Sequence, residues 1–300
     1  MKPWIKIGLL AATGLAGLAA TGLALGAWLG ERKAARQVSV PASPLAVPTD
    51  AAALERGRYL YASRGCVDCH GANGAGRRFI DDPGGLQVQA PNISPGPGSV
   101  VAGYSAADWA RTVRHGVKPD GRPVFIMPSE DYAQWTDADM GALVAHMRQL
   151  PAVPGGAMVA RVPQLVKTLY AAGVIRDAAE KIDHLAPRAA TVPADGSAAH
   201  GAYVAGMCLG CHGDQLAGGK IPGAPPDWPA AANLTPGSRS AMAAYASAEQ
   251  FTAMLRSGRR PDGSAISPVM PFGSLRELST VDAHALYDHL KRLPAVQFGG

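Results

Sequence analysis

The sequence is short of cysteine and of charge. It has only four cysteines in 300 residues, so their placement matters more than their number. Charged residues make up 17% and hydrophobic residues 47% of the chain, against roughly 25% charged in ordinary soluble domains. The formal net charge is +5 without any run of five basic residues, so nothing supports nucleic-acid binding. Part of the apolar content is therefore expected in a membrane segment.

That segment is a long uncharged run near the N-terminus. Ile7 to Gly30 are 24 residues without a charge; at about 1.5 Å rise per residue, such a helix crosses roughly 30 Å of hydrocarbon. Trp4 and Trp28 lie at its two ends, as interfacial aromatic residues do. The alternative is a cleaved signal peptide, but the run exceeds the usual stretch of about 7 to 15 apolar residues. We predict an anchor over 1–30, whose orientation the flanking basic residues leave open.

Glycines recur every fourth residue in this run, at Gly22, Gly26 and Gly30. Such a pattern can let a second helix approach closely. In a span rich in alanine and glycine, we attribute it to composition.

The rest of the chain contains one unit twice. Cys-x-x-Cys-His occurs at 66–70 and 208–212, and later landmarks repeat in the same order at separations of 141 to 143 residues. Conserved order at a near-constant offset indicates an internal duplication into domains of about 100 residues. We call residues 50–153 the first copy and residues 196–300 the second copy. The other paired landmarks are Asn92-Ile-Ser-Pro95 with Asn233-Leu-Thr-Pro236, Arg114–Gly121 with Arg256–Gly263, Met127-Pro128 with Met270-Pro271, and Leu150-Pro151 with Leu293-Pro294.

Two segments lie outside the copies. Residues 31–49 carry repeated prolines, which forbid a regular helix or central strand and predict an extended tether. Residues 154–195 have apolar side chains at helical spacing, which predicts one or two amphipathic helices. We expect these helices to pack on a neighbouring domain, with a membrane or partner surface as the alternative.

Within each copy, the pattern predicts short helices separated by turns. Thr136 with Asp139 and Ser279 with Asp282 have the spacing of capping boxes that open the closing helices. Residues 108–115 and 249–257 form another predicted pair of helices that end before a glycine. No stretch alternates long enough to predict a sheet, so we expect an all-α fold with large loops.

All four cysteines belong to the two Cys-x-x-Cys-His motifs, the pattern of c-type haem attachment. Two thiols on one helical turn can form thioethers with the two haem vinyl groups, and the adjacent histidine projects beneath the iron. The alternatives are a zinc site and a thioredoxin-like redox pair. The duplicated motif and the missing βαβ context favour haem. The attachment residues are Cys66, Cys69, Cys208 and Cys211, and the iron-binding histidines are His70 and His212.

Residues 50–153 and 196–297 resemble the class I c-type cytochromes, specifically membrane-anchored bacterial proteins with two such domains in tandem. The resemblance implies a helical domain around each of two covalently bound haem c groups, with a methionine as the second iron ligand. Met127 and Met270 lie 57 and 58 residues after the two motif histidines, and each precedes a proline. A thioether is a soft ligand for iron, and the prolines restrict the methionine backbone. We expect Met140, Met147 and Met254 to fill the core.

Two other sets of polar residues invite competing interpretations. Asn92 and Asn233 match the glycosylation sequon, but both recur within the repeat and precede a proline, so we expect structural turns near the haem. His146 and His289 occupy equivalent positions on the closing helices. We expect them to be surface or packing residues, because the methionines already supply the second ligand.

The resemblance implies a periplasmic carrier of single electrons, held at the bacterial inner membrane and not itself an enzyme. Its expected partners are a dehydrogenase or quinol-chain donor and a cytochrome or terminal oxidase acceptor. Two alternatives stay open. One is a dihaem enzyme of the peroxidase or thiosulfate-oxidising kind, and the other is the cytochrome subunit of a periplasmic alcohol or sugar dehydrogenase.

Overall fold

The computed structural model describes residues 2–41, 44–82, 84–221, 223–225 and 227–299. Outside the described residues lie 1 of the predicted anchor, 42 and 43 of the predicted tether, 83 of the first copy, and 222, 226 and 300 of the second copy. The described chain is mostly helical, as predicted. Its helices are α1 (Pro3–Ala34), α2 (Ala51–Ser63), α3 (Cys66–His70), α4 (Ala106–His115), α5 (Asp137–Arg148), α6 (Gln164–Ala171), α7 (Ala178–Lys181), α8 (Ala198–Ala205), α9 (Leu209–His212), α10 (Ala248–Ser257), α11 (Phe272–Leu275) and α12 (Thr280–Arg292), with 3-10 turns at Ser129–Tyr132, Gly206–Cys208 and Ala241–Ala244.

A small antiparallel sheet corrects the expectation of an all-α fold. Its strands are β1 (Arg78–Asp81), β2 (Gln87–Gln89) and β3 (Val159–Arg161), in that order across the sheet. Strands of three or four residues are too short for alternation to be visible in the sequence. The third strand comes from the segment between the copies, so the pairing is also long-range.

Each copy is built on a close crossing between its first and last helices. In the first copy, α2 meets α5 at Gly57, where a Cβ atom would lie 2.0 Å from the Ala142 carbonyl oxygen. In the second copy, α8 meets α12 at Gly201, where a Cβ atom would lie 2.3 Å from the Ala285 carbonyl oxygen. Only glycine permits this approach. Two separate clusters of buried side chains surround these crossings, one running from Leu60 to Leu150 and the other from Val204 to Leu290.

The predicted helix pairs are present, but their predicted capping boxes are only half formed. Thr136 and Ser279 accept hydrogen bonds from the backbone N–H groups of Asp139 and Asp282, both at 3.1 Å. The reciprocal bonds from these acids to the helix starts are not formed in α5 and α12, because both carboxylates bind side chains elsewhere. A complete capping box occurs instead at the start of α4, at Ser105. The prediction of complete boxes is therefore wrong for α5 and α12.

The first residues of the predicted tether are helical. Residues 31–34 complete α1, and the described extended residues after them lie on the first copy. The Val38 N–H donates to the Gly121 carbonyl at 2.8 Å, and Leu45 and Val47 pack against the first buried cluster. This segment therefore rests against the first copy.

The segment between the copies contains the two short helices α6 and α7. It packs on the first copy through β3, through His184 against His115, and through Lys181, which pairs with Glu130 at 2.6 Å. It also packs on α1 at Gly26 and Gly30, so attributing the glycine pattern to composition alone was wrong. The neighbours of α6 and α7 are thus both the first copy and α1.

Candidate haem-binding sites

Both Cys-x-x-Cys-His motifs fold into a single tight turn of helix. The first motif is α3, and the second spans the end of the Gly206–Cys208 turn and α9. In each, the next residue donates its N–H back to the second residue of the motif at 2.9 Å, from Gly71 to Val67 and from Gly213 to Leu209. The two turns therefore present their thiols and histidine in equivalent positions.

The two motif histidines are held in the same tautomer. His70 Nδ1 lies 3.1 Å from the Pro91 carbonyl oxygen, and His212 Nδ1 lies 2.7 Å from the Ala232 carbonyl oxygen. A carbonyl oxygen only accepts hydrogen bonds, so Nδ1 carries the proton and Nε2 keeps a free lone pair. Burial lowers the pKa of both histidines, which favours the neutral ring. A neutral imidazole with a free Nε2 fits the role of an iron ligand.

The thiols differ from those of a redox pair or a zinc site. Burial raises the pKa of Cys66 and Cys208 to about 12 each and that of Cys69 to about 11, and it also raises the pKa of Cys211. Reactive redox cysteines and zinc ligands need an environment that favours the thiolate. Thiols that stay neutral thus fit the haem alternative better than the other two.

Met127 and Met270 each begin the same kind of backbone turn. The following prolines, Pro128 and Pro271, have φ, ψ values of −79°, 66° and −78°, 66°. In each, the residue after proline donates its N–H to the methionine carbonyl, at 2.9 Å in the first copy and 2.8 Å in the second. This is an inverse γ-turn centred on proline. Both methionine side chains pack against the buried cluster of their own copy, to which the first motif cysteine also contributes.

The two Asn-x-Ser/Thr sequences form buried turns, as expected. Asn92 accepts from the Ser94 N–H at 2.9 Å and donates to the Val153 carbonyl at 2.9 Å. Asn233 accepts from the Thr235 N–H at 2.8 Å and donates to the Val296 carbonyl at 2.9 Å. Both asparagines are fully buried. Each turn ties the end of its copy to the segment that carries the carbonyl bonded to the motif histidine.

The other histidines lie away from these turns. His146 and His289 pack at the helix crossings against Gly57 and Gly201. His115 Nδ1 lies 3.0 Å from His184 Nδ1, and burial lowers the pKa of His115 to about 4. These are packing positions, as expected.

Sequence reasoning missed a reciprocal contact between the copies. Asp131, which follows the Met127 loop, accepts from the Gly210 N–H inside the second motif at 2.8 Å. In the same way Ser274, which follows the Met270 loop, donates to Asp68 inside the first motif. Asp131 and Ser274 occupy equivalent positions in the repeat. Each motif therefore contacts the methionine loop of the other copy.

Asp139 at the start of α5 and Asp282 at the start of α12 also make matching contacts between the copies. Tyr203 of the second copy donates to Asp139 at 2.7 Å, and Tyr59 of the first copy donates to Asp282 at 2.7 Å. Asp282 also accepts from the buried Arg64. The only signal for these contacts in the sequence was that Tyr59 and Tyr203, like the two aspartates, recur in the repeat.

Comparison with known proteins finds a c-type cytochrome domain around the first of these motifs. Residues 52–147 match the family described as cytochrome c oxidase, cbb3-type, subunit III. The chain therefore contains a c-type cytochrome domain over these residues.

Several relatives are cytochrome subunits. The chain is 28% identical over 281 residues to the cytochrome c subunit of the quinone alcohol dehydrogenase of Gluconobacter oxydans, covering 83% of this chain and 56% of that protein. It is 37% identical over 103 residues to the gluconate 2-dehydrogenase cytochrome c subunit of Pantoea cypripedii, covering 32% and 22% of the two chains. It is 32% identical over 107 residues to a "diheme cytochrome c-type" protein of Cereibacter sphaeroides, covering 32% and 36%. The chain thus spans less than two thirds of each relative.

Proposed function

We propose that this protein carries single electrons through two covalently bound haem c groups, one in each copy. The observation that carries the proposal is the matched pair of sites: the same tautomer-fixing bond at His70 and His212, and the same proline turn after Met127 and Met270. The alignment to the Gluconobacter oxydans subunit, which runs over 281 residues, supports haem domains in both copies.

In each site, we propose that the two cysteines hold the haem and that histidine and methionine bind its iron. The haem supplies one-electron chemistry between ferric and ferrous states. The carbonyl at Nδ1 orients the imidazole, and the proline turn fixes the backbone that aims the thioether. With both histidine and methionine bound, the iron would have no position left for a substrate, which favours a carrier over a peroxidase-like or thiosulfate-oxidising enzyme.

The contacts between the copies support a relay from one haem to the other. Each motif touches the methionine loop of the other copy, and buried Arg64 lies close enough to Cys66 and Cys208 to lower the pKa of both thiols, although burial outweighs it. The two attachment turns are thus neighbours across the interface. Electrons entering at one copy have a short route to the other.

We further propose that α1 anchors the protein in the bacterial inner membrane, with both copies in the periplasm. α1 is the one helix among the described residues that is long and apolar enough to span a membrane. The donor would be a dehydrogenase or the quinol chain, and the acceptor a cytochrome or terminal oxidase. The names of several relatives favour a related role as the cytochrome subunit of an alcohol or sugar dehydrogenase. Co-purification from membranes would separate these roles.

Substitution of each methionine tests the proposed ligation. Met127→Leu and Met270→Leu nearly preserve side-chain volume but remove the thioether, so each variant should bind carbon monoxide at one reduced haem and lower its potential. Met254→Leu, at a buried core methionine, is the matched control and should leave both haems low-spin. A wild-type haem that is high-spin or binds peroxide readily would exclude the carrier role for that copy.

A further inference from the structure

α1 is in contact with α6 only along its last part. The Thr168 hydroxyl donates to the Leu23 carbonyl at 3.3 Å. A Cβ atom on Gly26 would lie 2.4 Å from the Thr168 methyl carbon, and one on Gly30 would lie 2.3 Å from the Lys167 carbonyl oxygen. The two helices therefore touch backbone to backbone, and the glycines make this approach possible.

The depth of this contact follows from the length of α1. A span needs about 20 apolar residues to cross the hydrocarbon. Counted from Ile7, where the uncharged run begins, that length ends at Gly26. Trp28 is half exposed, and the Arg32 guanidinium lies 5.0 Å from its ring centroid, a pairing suited to the headgroup region. The contact with α6 thus lies where α1 would leave the bilayer.

The contacts of Thr168 and Tyr170 with α1 show how α6 is oriented relative to the membrane. Thr168 meets α1 at Leu23 and Gly26, the deepest level of the contact. Tyr170 lies further from the bilayer, where its backbone carbonyl accepts from Lys33 at 2.9 Å and its hydroxyl accepts from Arg36 at 2.8 Å. The N-terminal half of α6 therefore lies nearer the hydrocarbon than its C-terminal half.

Exposed apolar side chains occur in this half of α6 and in the turn after the helix. Leu165 lies three residues before Thr168, hence on the same face, and it is 60% exposed. Val174, just after α6, is 64% exposed. Isolated exposed leucines are common on soluble proteins, but Leu165 belongs to a helix packed on α1, which is uncharged and exposed from Ile7 to Gly22.

We propose that α6 is a second membrane contact, lying in the interface of the leaflet through which α1 leaves the bilayer. Leu165 inserts beside the lipid chains, and the occupant of this surface is phospholipid. The inference rests on the proposed anchoring by α1 and adds a surface contact from the segment between the copies. An amphipathic helix of this kind binds in the plane of the interface.

The arrangement fixes how the first copy stands above the membrane. Arg36, just beyond α1, makes two hydrogen bonds to the buried carboxylate of Asp177, at 2.7 and 2.8 Å. Lys33 pairs with Glu180 at 3.0 Å. Since β3 of the same segment pairs with β2 of the first copy, the span, α6 and the first copy form one connected unit.

Photo-crosslinking in the full-length protein tests the contact. p-Benzoylphenylalanine is placed at Leu15, Leu165 or Val281 in haem-loaded protein, reconstituted in vesicles of equal parts phosphatidylethanolamine and phosphatidylglycerol. Val281 is an exposed apolar residue of the second copy, 48% exposed, and serves as the control. We expect phospholipid adducts at positions 15 and 165 in comparable yield, and none above background at 281.

The outcomes separate this inference from the anchor itself. Adducts at 15 but not at 165 would overturn the surface contact and leave the span intact. Adducts at neither would overturn both proposals.

A glycine substitution gives a second, independent test. Gly30→Leu places a side chain against the Lys167 backbone and should abolish the adduct at 165 while keeping that at 15. Gly22→Leu is the matched control, because a Cβ at Gly22 meets nothing within 4 Å. Equal adduct yields at 165 in both variants would contradict the packing on which the inference depends.

Discussion

Asp282 shows how one residue can hold two copies of a fold together. It caps no backbone N–H of its own helix start, but accepts from Tyr59 and Arg64 of the first copy, and it lies 3.0 Å from His200 Nε2. Burial alone would raise the pKa of Asp282. Arg64, Tyr59 and His200 outweigh burial, and the pKa is lowered. A buried carboxylate is retained here because every neighbour compensates its charge.

Removing Arg64 should therefore cost much more than removing a surface arginine. Arg64→Ala leaves Asp282 buried without its main charge partner, so we expect a loss of about 3–5 kcal/mol in the free energy of unfolding. Arg58→Ala, on α2 just before Arg64, breaks the exposed pair with Glu55 and should have little effect. Guanidinium denaturation of the two haem-loaded variants checks this. Similar midpoints for both would contradict the assigned role of Arg64.

Asp131 should give the contact between the copies a dependence on pH. Burial raises the pKa of Asp131 to about 8 from 3.8. The folded carboxyl thus keeps its proton after the unfolded one has lost it, so its contribution to stability is complete at low pH and is lost as pH rises toward 8. Asp131→Asn cannot ionise. As pH rises from about 5 to 8, we therefore expect its free energy of unfolding to increase relative to that of wild type, by at most about 1.4 kcal/mol per pH unit.

Urea denaturation of both proteins at several pH values measures that difference. The asparagine side chain still accepts from the Gly210 N–H, so the geometry is preserved. A constant difference between wild type and variant across this range would mean that Asp131 is ionised in the folded protein.

At the level of helices, the glycine crossings should be intolerant of a single methyl group. Gly57→Ala and Gly201→Ala each place a Cβ within 2.3 Å of a carbonyl oxygen of the partner helix. We expect each to lose about 1–3 kcal/mol in the free energy of unfolding, despite the better helix propensity of alanine. Gly103→Ala, where a Cβ meets nothing within 4 Å, is the control. Unchanged thermal midpoints at 57 and 201 would refute the close crossing.

Helices were the most predictable elements, because their signals are local. Residues within a few positions determine where these helices begin and end. Thus α4 and α10 end before a glycine, and α5 and α12 begin after Thr136 and Ser279. The motif turns were equally accessible, since Cys-x-x-Cys-His specifies its own chemistry in five residues.

Features that depend on distant partners were not predictable in this way. The sheet joins β2 to β3 across about 70 residues of chain. Likewise, Asp139 and Asp282 have capping spacing, but their carboxylates bind tyrosines of the other copy. The role of Gly26 and Gly30 also needed α6, which lies far along the sequence. A single sequence does not reveal which distant residues meet.

For the whole molecule, the repeated sequence folds into two similar motif turns with reciprocal contacts between the copies. The motif of each copy contacts the loop after the methionine of the other, through Asp68 with Ser274 and Gly210 with Asp131. This arrangement would bring the two proposed haems together while α1 and α6 hold the first copy near the bilayer. A relay of electrons through this arrangement therefore requires haem in both copies.

The most direct measurement of that claim is the intact mass of the denatured protein after expression with a haem-attachment system. Thioether bonds survive unfolding, so we expect the mass of the polypeptide plus two haems, and plus one haem after Cys66→Ala with Cys69→Ala or after Cys208→Ala with Cys211→Ala. A wild-type mass with one haem or none would contradict the account of two matched sites.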